Sequence, residues 1–136
     1  MARDSINLQY VTYDKTDSIG SATITKQAVT QANGIKIANA FKCKDNSGVI
    51  CIENTYASAN STLTIKAGEK QNAQLGDGSL VLTKATSTSS GTIPTVIEVR
   101  LNRDMARFER ADGSLYLDFS SGFTGNIWAT AEKAGL

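Results

Sequence analysis

The stretch RFERADGSLYLDF (residues 107–119) sets an Asp-Gly pair between two short runs rich in aliphatic and aromatic residues. Asp-Gly flanked by such runs is a strong local signal for a β-hairpin, because both central positions of the turn favour positive φ. With Asp112-Gly113 as a two-residue turn, Ala111 faces Ser114, Arg110 faces Leu115, Glu109 faces Tyr116, Phe108 faces Leu117 and Arg107 faces Asp118. Phe108 and Leu117 then share one face while Arg107 meets Asp118 on the other, and a one-residue slip destroys both pairings. In that register the carboxylates of Asp112 and Asp118 have structural explanations. A helical reading competes just upstream: Asn102 is a capping residue, Met105 and Phe108 stand three apart, and Gly113 can end the segment. This predicts a single helical turn at about 103–108, which shortens the first strand of the hairpin.

Outward from this stretch the same period-two alternation recurs. Ile6, Leu8 and Tyr10 follow it, as do Ala22 and Ile24, Ile35 and Ile37, and Leu63 and Ile65. The apolar runs VICI (49–52), LVL (80–82) and VIEVRL (96–101) are bounded by the turn formers DNSG, GDGS and SSGTIP. Short strands with turns every 8–12 residues predict a mainly β protein, a single antiparallel β-sandwich of about seven to eight strands. The sandwich domain is expected over residues 26–136. Residues 1–25 are polar with sparse apolar anchors and are expected to supply an edge strand or an extended arm, and unpaired strand edges are where another chain can add itself. Residues 83–92, TKATSTSSGT, read as a mobile loop.

A chain of 136 residues is the size of one domain with one core. Its formal charge of +1, from 14 basic and 13 acidic side chains, supplies no field to attract a phosphate backbone or an anionic membrane, so neither nucleic acid nor membrane is an expected partner. The opening MARDSINLQY lacks the apolar stretch of a secretory signal, and no run approaches the roughly 20 apolar residues of a membrane span. The expectation is a soluble product made in the cytosol.

Catalytic groups are sparse. The sequence has no His, which excludes a Cys-His nucleophile and leaves acid-base work to carboxylates. Asp45, Asp77 and Asp112 stand in turn sequences, where hydrogen bonding to local backbone is sufficient reason for them. DNSG (45–48) and GDGS (76–79) begin like oxygen-rich calcium loops but lack the later ligands and the closing Glu. Cys43 and Cys51 flank KDNSGVI. A turn at Asp45–Gly48 would bring the two thiols close across an antiparallel pair, where a disulfide is geometrically conceivable, while a cytosolic origin favours two reduced, buried side chains. No enzyme, metal or cofactor is expected. Among the aromatics, Phe108, Phe119 and Trp128 sit in core-like patterns. Tyr10, Tyr13 and Tyr56 are the candidate contact residues, Tyr13 and Tyr56 because they lie in polar surroundings, where an exposed ring suits interface packing or a sugar platform.

The order of segments carries a further signal. QANGIKI (31–37) leads to ICIENT (50–55), then STLTIKAG (61–68), GDGSLVL (76–82), VIEVRL (96–101), ARFERADGSLYLDF (106–119) and GFTGNIWATA (122–131). This arrangement resembles the small all-β head decoration, or capsid auxiliary, proteins of tailed bacteriophages, over about residues 28–131. Its most specific parts are the runs from Asn54 to Gly68 and from Arg107 to Phe119. The resemblance implies a structural protein of the virion that binds the major capsid protein on the outer surface of the head and stabilises or decorates it. It also implies self-association, with a trimer suited to threefold positions of an icosahedral shell. The alternative is a tail, fibre or surface β-sandwich module that binds carbohydrate.

Overall fold

The structure, a computed structural model, describes residues 2–57, 61–82, 86–88, 91–93, 95–101 and 103–133. It is mainly β, with several sheets and no closed barrel. Strands β1 (Asp4–Asn7), β2 (Gln9–Tyr10), β3 (Thr12–Tyr13), β4 (Gly20–Ser21) and β5 (Gln27–Ala28) are short. They are followed by β6 (Ile35–Ala38), β7 (Gly48–Ala57), β8 (Thr62–Ile65), β9 (Gly78–Val81), β10 (Thr86–Thr88) and β11 (Gly91–Ile93). The last three are β12 (Thr95–Leu101), β13 (Leu115–Phe119) and β14 (Phe123–Ala131). One five-stranded sheet has the order β1-β6-β13-β8-β9; the other runs β12-β7-β14-β2, with β5 also pairing with β14. Two ribbons, β3-β4 and β10-β11, stand apart.

Alternation decides which side chains point inward. On β13, Leu115, Leu117 and Phe119 are buried while Tyr116 and Asp118 are half-buried. Across the first sheet they align with Ile35 and Ile37 of β6 and with Leu63 and Ile65 of β8. In the second sheet Ile50 and Ile52 of β7 align with Ala129 and Ile127 of β14. These side chains belong to one hydrophobic cluster drawn from both sheets. Fully burying each Leu or Ile contributes about 1.5–3 kcal/mol.

Fourteen strand segments form among the described residues, where seven or eight were expected, because the N-terminal region and the stretch before β12 add several of two or three residues. Pairing is also not uniformly antiparallel: β1 runs parallel to β6, and β2 runs parallel to β14. Both parallel pairs arise from one segment, which leaves the edge of the first sheet after Asn7 and joins the second sheet at Gln9. Ile6 and Leu8 enter the core on the way. The alternation of Ala22 and Ile24 produces no strand; pairing stops at Ser21, and Ile24 is exposed, since its neighbours offer no second apolar face. Within the expected loop at 83–92, Thr86–Thr88 pairs with Gly91–Ile93, while residues 83–85 and 89–90 lie outside the described set.

The expected hairpin at 107–118 is replaced by a different arrangement. Arg103–Phe108 forms a 3-10 helix, as the helical reading expected. The turn itself exists as a three-residue loop: the Gly113 amide donates to the Arg110 carbonyl at 2.9 Å, the Arg110 amide donates to the Ser114 carbonyl at 2.9 Å, and Gly113 takes φ +82°. No ladder grows from it, because β13 is an inner strand with β6 on one side and β8 on the other. Those neighbours present Ile35, Ile37, Leu63 and Ile65, whereas 107–110 presents one apolar residue. Phe108 and Leu117 are both buried, but Asp118 pairs with Arg3, and Arg107 donates to the Asp77 carbonyl at 3.2 Å.

Asp112 organises the turn. One carboxylate oxygen accepts from the Ser114 hydroxyl and amide, and the other stands 3.0 Å from the Lys36 ammonium. The Ser114 hydroxyl, then Lys36 and the Ser114 amide, hold the carboxyl well below the usual carboxylate range. A carboxylate depressed in the folded state stabilises above its unfolded pKa, and that contribution fades as pH falls through the folded value. Asp112→Asn is therefore expected to lower Tm at neutral pH and to flatten its decline between about pH 4 and pH 2. Parallel Tm-against-pH curves for the two proteins would exclude this role.

The thiols are not brought together. Cys51 lies on β7 between Glu98 of β12 and Trp128 of β14, whereas Cys43 bridges to Lys133. A turn does form at Lys44–Ser47, with the Ser47 amide donating to the Lys44 carbonyl at 3.1 Å, but the segment before it belongs to neither five-stranded sheet. Both cysteines are free. Burial, and secondarily the charge of Glu98, pushes the Cys51 thiol above its ordinary pKa and disfavours the reactive thiolate.

Candidate functional site

The end of β14 is held from two sides. On one, the Val11 amide donates to the Ala131 carbonyl at 2.9 Å, continuing the pairing of Tyr10 with Ala131. On the other, the Lys44 amide donates to the Glu132 carbonyl at 2.9 Å, and the Glu132 amide donates to the Ser47 hydroxyl at 3.1 Å. Two segments far upstream of the strand end, one holding Val11 and the other Lys44 and Ser47, thus fix where Glu132 and Lys133 stand. Between them opens a groove of about 440 Å³, lined by Tyr10, Val11, Tyr13, Lys44, Glu132 and Lys133 among others.

The two tyrosines differ in setting. Tyr10 is half-buried and packs against the hydrophobic cluster, and the Lys133 ammonium lies 5.6 Å from the centre of its ring, within cation–π range. Tyr13 is 60% exposed and is contacted at its ring and at its hydroxyl. Its hydroxyl donates to Glu132 Oε1 at 2.7 Å, and a Cβ at Gly20 would fall 2.5 Å from its ring, so the β4 backbone lies directly against the aromatic. The hydrogen bond to the Glu132 carboxylate, reinforced by its charge, raises the phenol pKa above the ordinary value. The Lys44 ammonium stands 3.9 Å from Glu132 Oε2.

Tyr56 is not part of this groove. Its backbone pairs with Thr124, seven positions from Ala131 along β14, which is about 23 Å at the rise of an extended strand; its side chain lies outside what the structure describes. Lys44, Glu132 and Lys133 were not singled out from sequence, because charged residues beside a turn or strand end carry no pattern until the fold places them together.

Trp128 is a correction. It lies on the face of β14 opposite the core, half-buried, with Lys26 Nζ 5.2 Å from the ring centre. Lys26 also pairs with Glu53 at 2.9 Å, and Asn126 donates to the same carboxylate, so that these two hydrogen bonds hold Glu53 below its ordinary pKa. The core-like pattern misled because Ile127 and Ala129 occupy the inward positions on either side of Trp128. Phe108 and Phe119 are buried as expected.

A second surface lies along β9, the last strand of the first sheet. Leu75, just before it, and Leu80 and Val81 within it are exposed. Among the described residues no cluster of three or more His, Cys, Asp or Glu side chains is placed to hold a metal ion. No helix among them is long and apolar enough to cross a membrane.

Comparison with known proteins finds no matching family model, no matching curated protein and no matching solved structure.

Proposed function

We propose that this chain is a structural virion protein that binds the outer surface of a phage capsid, folded as a β-sandwich in which the two five-stranded sheets face one another across a shared core. It is made in the host cytoplasm, contacts the major capsid protein, and associates with copies of itself, with a trimer as the arrangement suited to a threefold position. The segment order from QANGIKI to GFTGNIWATA supports the family reading.

The observation that carries a docking role is the edge strand β9. Leu80 and Val81 are adjacent, so their side chains point to opposite faces of the sheet, and both are exposed, with Leu75 close by in the chain. A terminal strand with apolar side chains on both faces invites another chain to pair with it or cover it. Copies repeated over a shell add avidity, so each contact can be weak.

The test is binding of the purified chain to expanded heads that lack it. The wild type is expected to bind, and Leu80→Asp with Val81→Asp is expected to weaken binding by about tenfold or more while Tm stays within a few degrees. Failure to bind heads, with binding to another virion component, would overturn the reading.

A further inference from the structure

We propose that the Tyr13 groove is a binding site for an acidic sugar, a pyranose ring carrying a carboxylate. This goes beyond capsid attachment and does not depend on it.

Tyr13 supplies the first part of the argument. An exposed aromatic side chain ordinarily samples several rotamers and loses that freedom when it binds. Here Gly20 abuts the ring and the Glu132 carboxylate accepts from the hydroxyl, two contacts that narrow its choice of rotamers while the residue stays 60% exposed. A pyranose presents an apolar C–H face that stacks on such a ring, with hydroxyl groups around its rim.

Glu132 and the two lysines supply the second part. Glu132 Oε1 is engaged by Tyr13, and Oε2 has Lys44 at 3.9 Å, beyond a short hydrogen bond, which leaves that oxygen able to accept from a sugar hydroxyl. Lys44 and Lys133 are two cations against one carboxylate, leaving one positive charge over for an anionic ligand. Lys133 is placed at the wall by its contact with Tyr10. A volume of about 440 Å³ is within the range of small-ligand sites and holds one or two sugar rings. An acidic peptide such as polyglutamate fits less well, because its side chains bring no hydroxyl donors to Glu132, whereas a sugar carries several beside its carboxylate.

The experiment titrates the full chain with tetragalacturonate, with its fully methyl-esterified form, which keeps the rings and removes the charge, and with tetraglutamate, following binding by calorimetry. Tetragalacturonate is expected to bind about tenfold more tightly than either other probe. Tyr13→Ala should weaken tetragalacturonate binding by about tenfold, and Lys44→Ala with Lys133→Ala should abolish the preference over the ester, with Tm changed by only a few degrees. Equal binding of the ester removes the anionic part of the proposal. Equal or tighter binding of tetraglutamate identifies a peptide site instead. No binding of tetragalacturonate by the wild type, or binding unaffected by either variant, overturns the assignment.

Discussion

Replacing Leu117 with alanine is expected to destabilise the fold by about 4 kcal/mol, the upper part of the range for a buried leucine, and to lower Tm by roughly 15 °C. Leu117 is fully buried at the middle of β13, with Ile35 opposite it on β6 and Ile65 opposite it on β8. The space left by its isobutyl group is walled by strands that hydrogen-bond to β13 on both edges. Those ladders prevent the sheet from closing on the cavity, so both the lost transfer energy and the cavity term persist. Urea unfolding of the two proteins checks the value, with the slope m unchanged and the midpoint shifted. Tyr116→Ala, one residue away on the opposite face, makes the comparison, since its ring is half-buried beside Arg3 and Arg110. If Leu117→Ala cost no more than Tyr116→Ala, the inward face of β13 would be misassigned.

The alternation around Leu117 was legible in sequence for the same physical reason that makes the residue costly to remove. Period-two patterns report which face a strand buries, and Leu115, Leu117, Phe119, Ile35, Ile37, Leu63, Ile50 and Ile52 all fall on the face their spacing indicates. What the pattern does not encode is the partner. The Asp-Gly pair correctly located a turn, but a hairpin ladder requires that the arm before the turn outcompete every other strand for the edge of β13. Arg107 to Arg110 cannot do so against Ile35–Ala38 and Thr62–Ile65. The parallel pairing of β1 and β2 was hidden in the same way, since Ile6, Leu8 and Tyr10 alternate regardless of strand direction.

The groove was legible only as two tyrosines. Tyr10 and Tyr13 were candidate contacts, while Glu132, 119 residues away from Tyr13, and Lys44 and Lys133 come from other segments and meet it only because β14 ends between two earlier parts of the chain. Trp128 shows the converse limit. A large aromatic between Ile127 and Ala129 resembles core, but alternation places it outward, beside Lys26 and Cys51.

Gly125→Ala is expected to cost about 3 kcal/mol, although it adds a single methyl group to a protein that buries many. Gly125 lies where the β7–β14 register shifts, between Thr124 and Gly125, and pairs with Asn54. A Cβ there would overlap the Glu53 carbonyl oxygen and fall 2.7 Å from Cζ of Phe123. Phe123 can yield little, because its ring is buried and stacked on Phe119 with centroids 4.6 Å apart. The Glu53 carbonyl is backbone in the longest paired strand of the second sheet, so relief requires β7 and β14 to separate locally. That separation strains a bulge whose glycine permits the close backbone approach. The strain also spreads, since the Gly125 carbonyl accepts from the Val29 amide at 2.9 Å, and Asn126 donates to Glu53 at 2.9 Å. Thermal unfolding should therefore show a large loss for Gly125→Ala and almost none for Thr124→Ala, whose side chain is exposed beside the same bulge. Hydrogen exchange should show faster opening of the Val29 amide in Gly125→Ala than in wild type. A Gly125→Ala protein that melts with the wild type would mean that the β7–β14 backbones do not approach as closely as this register requires.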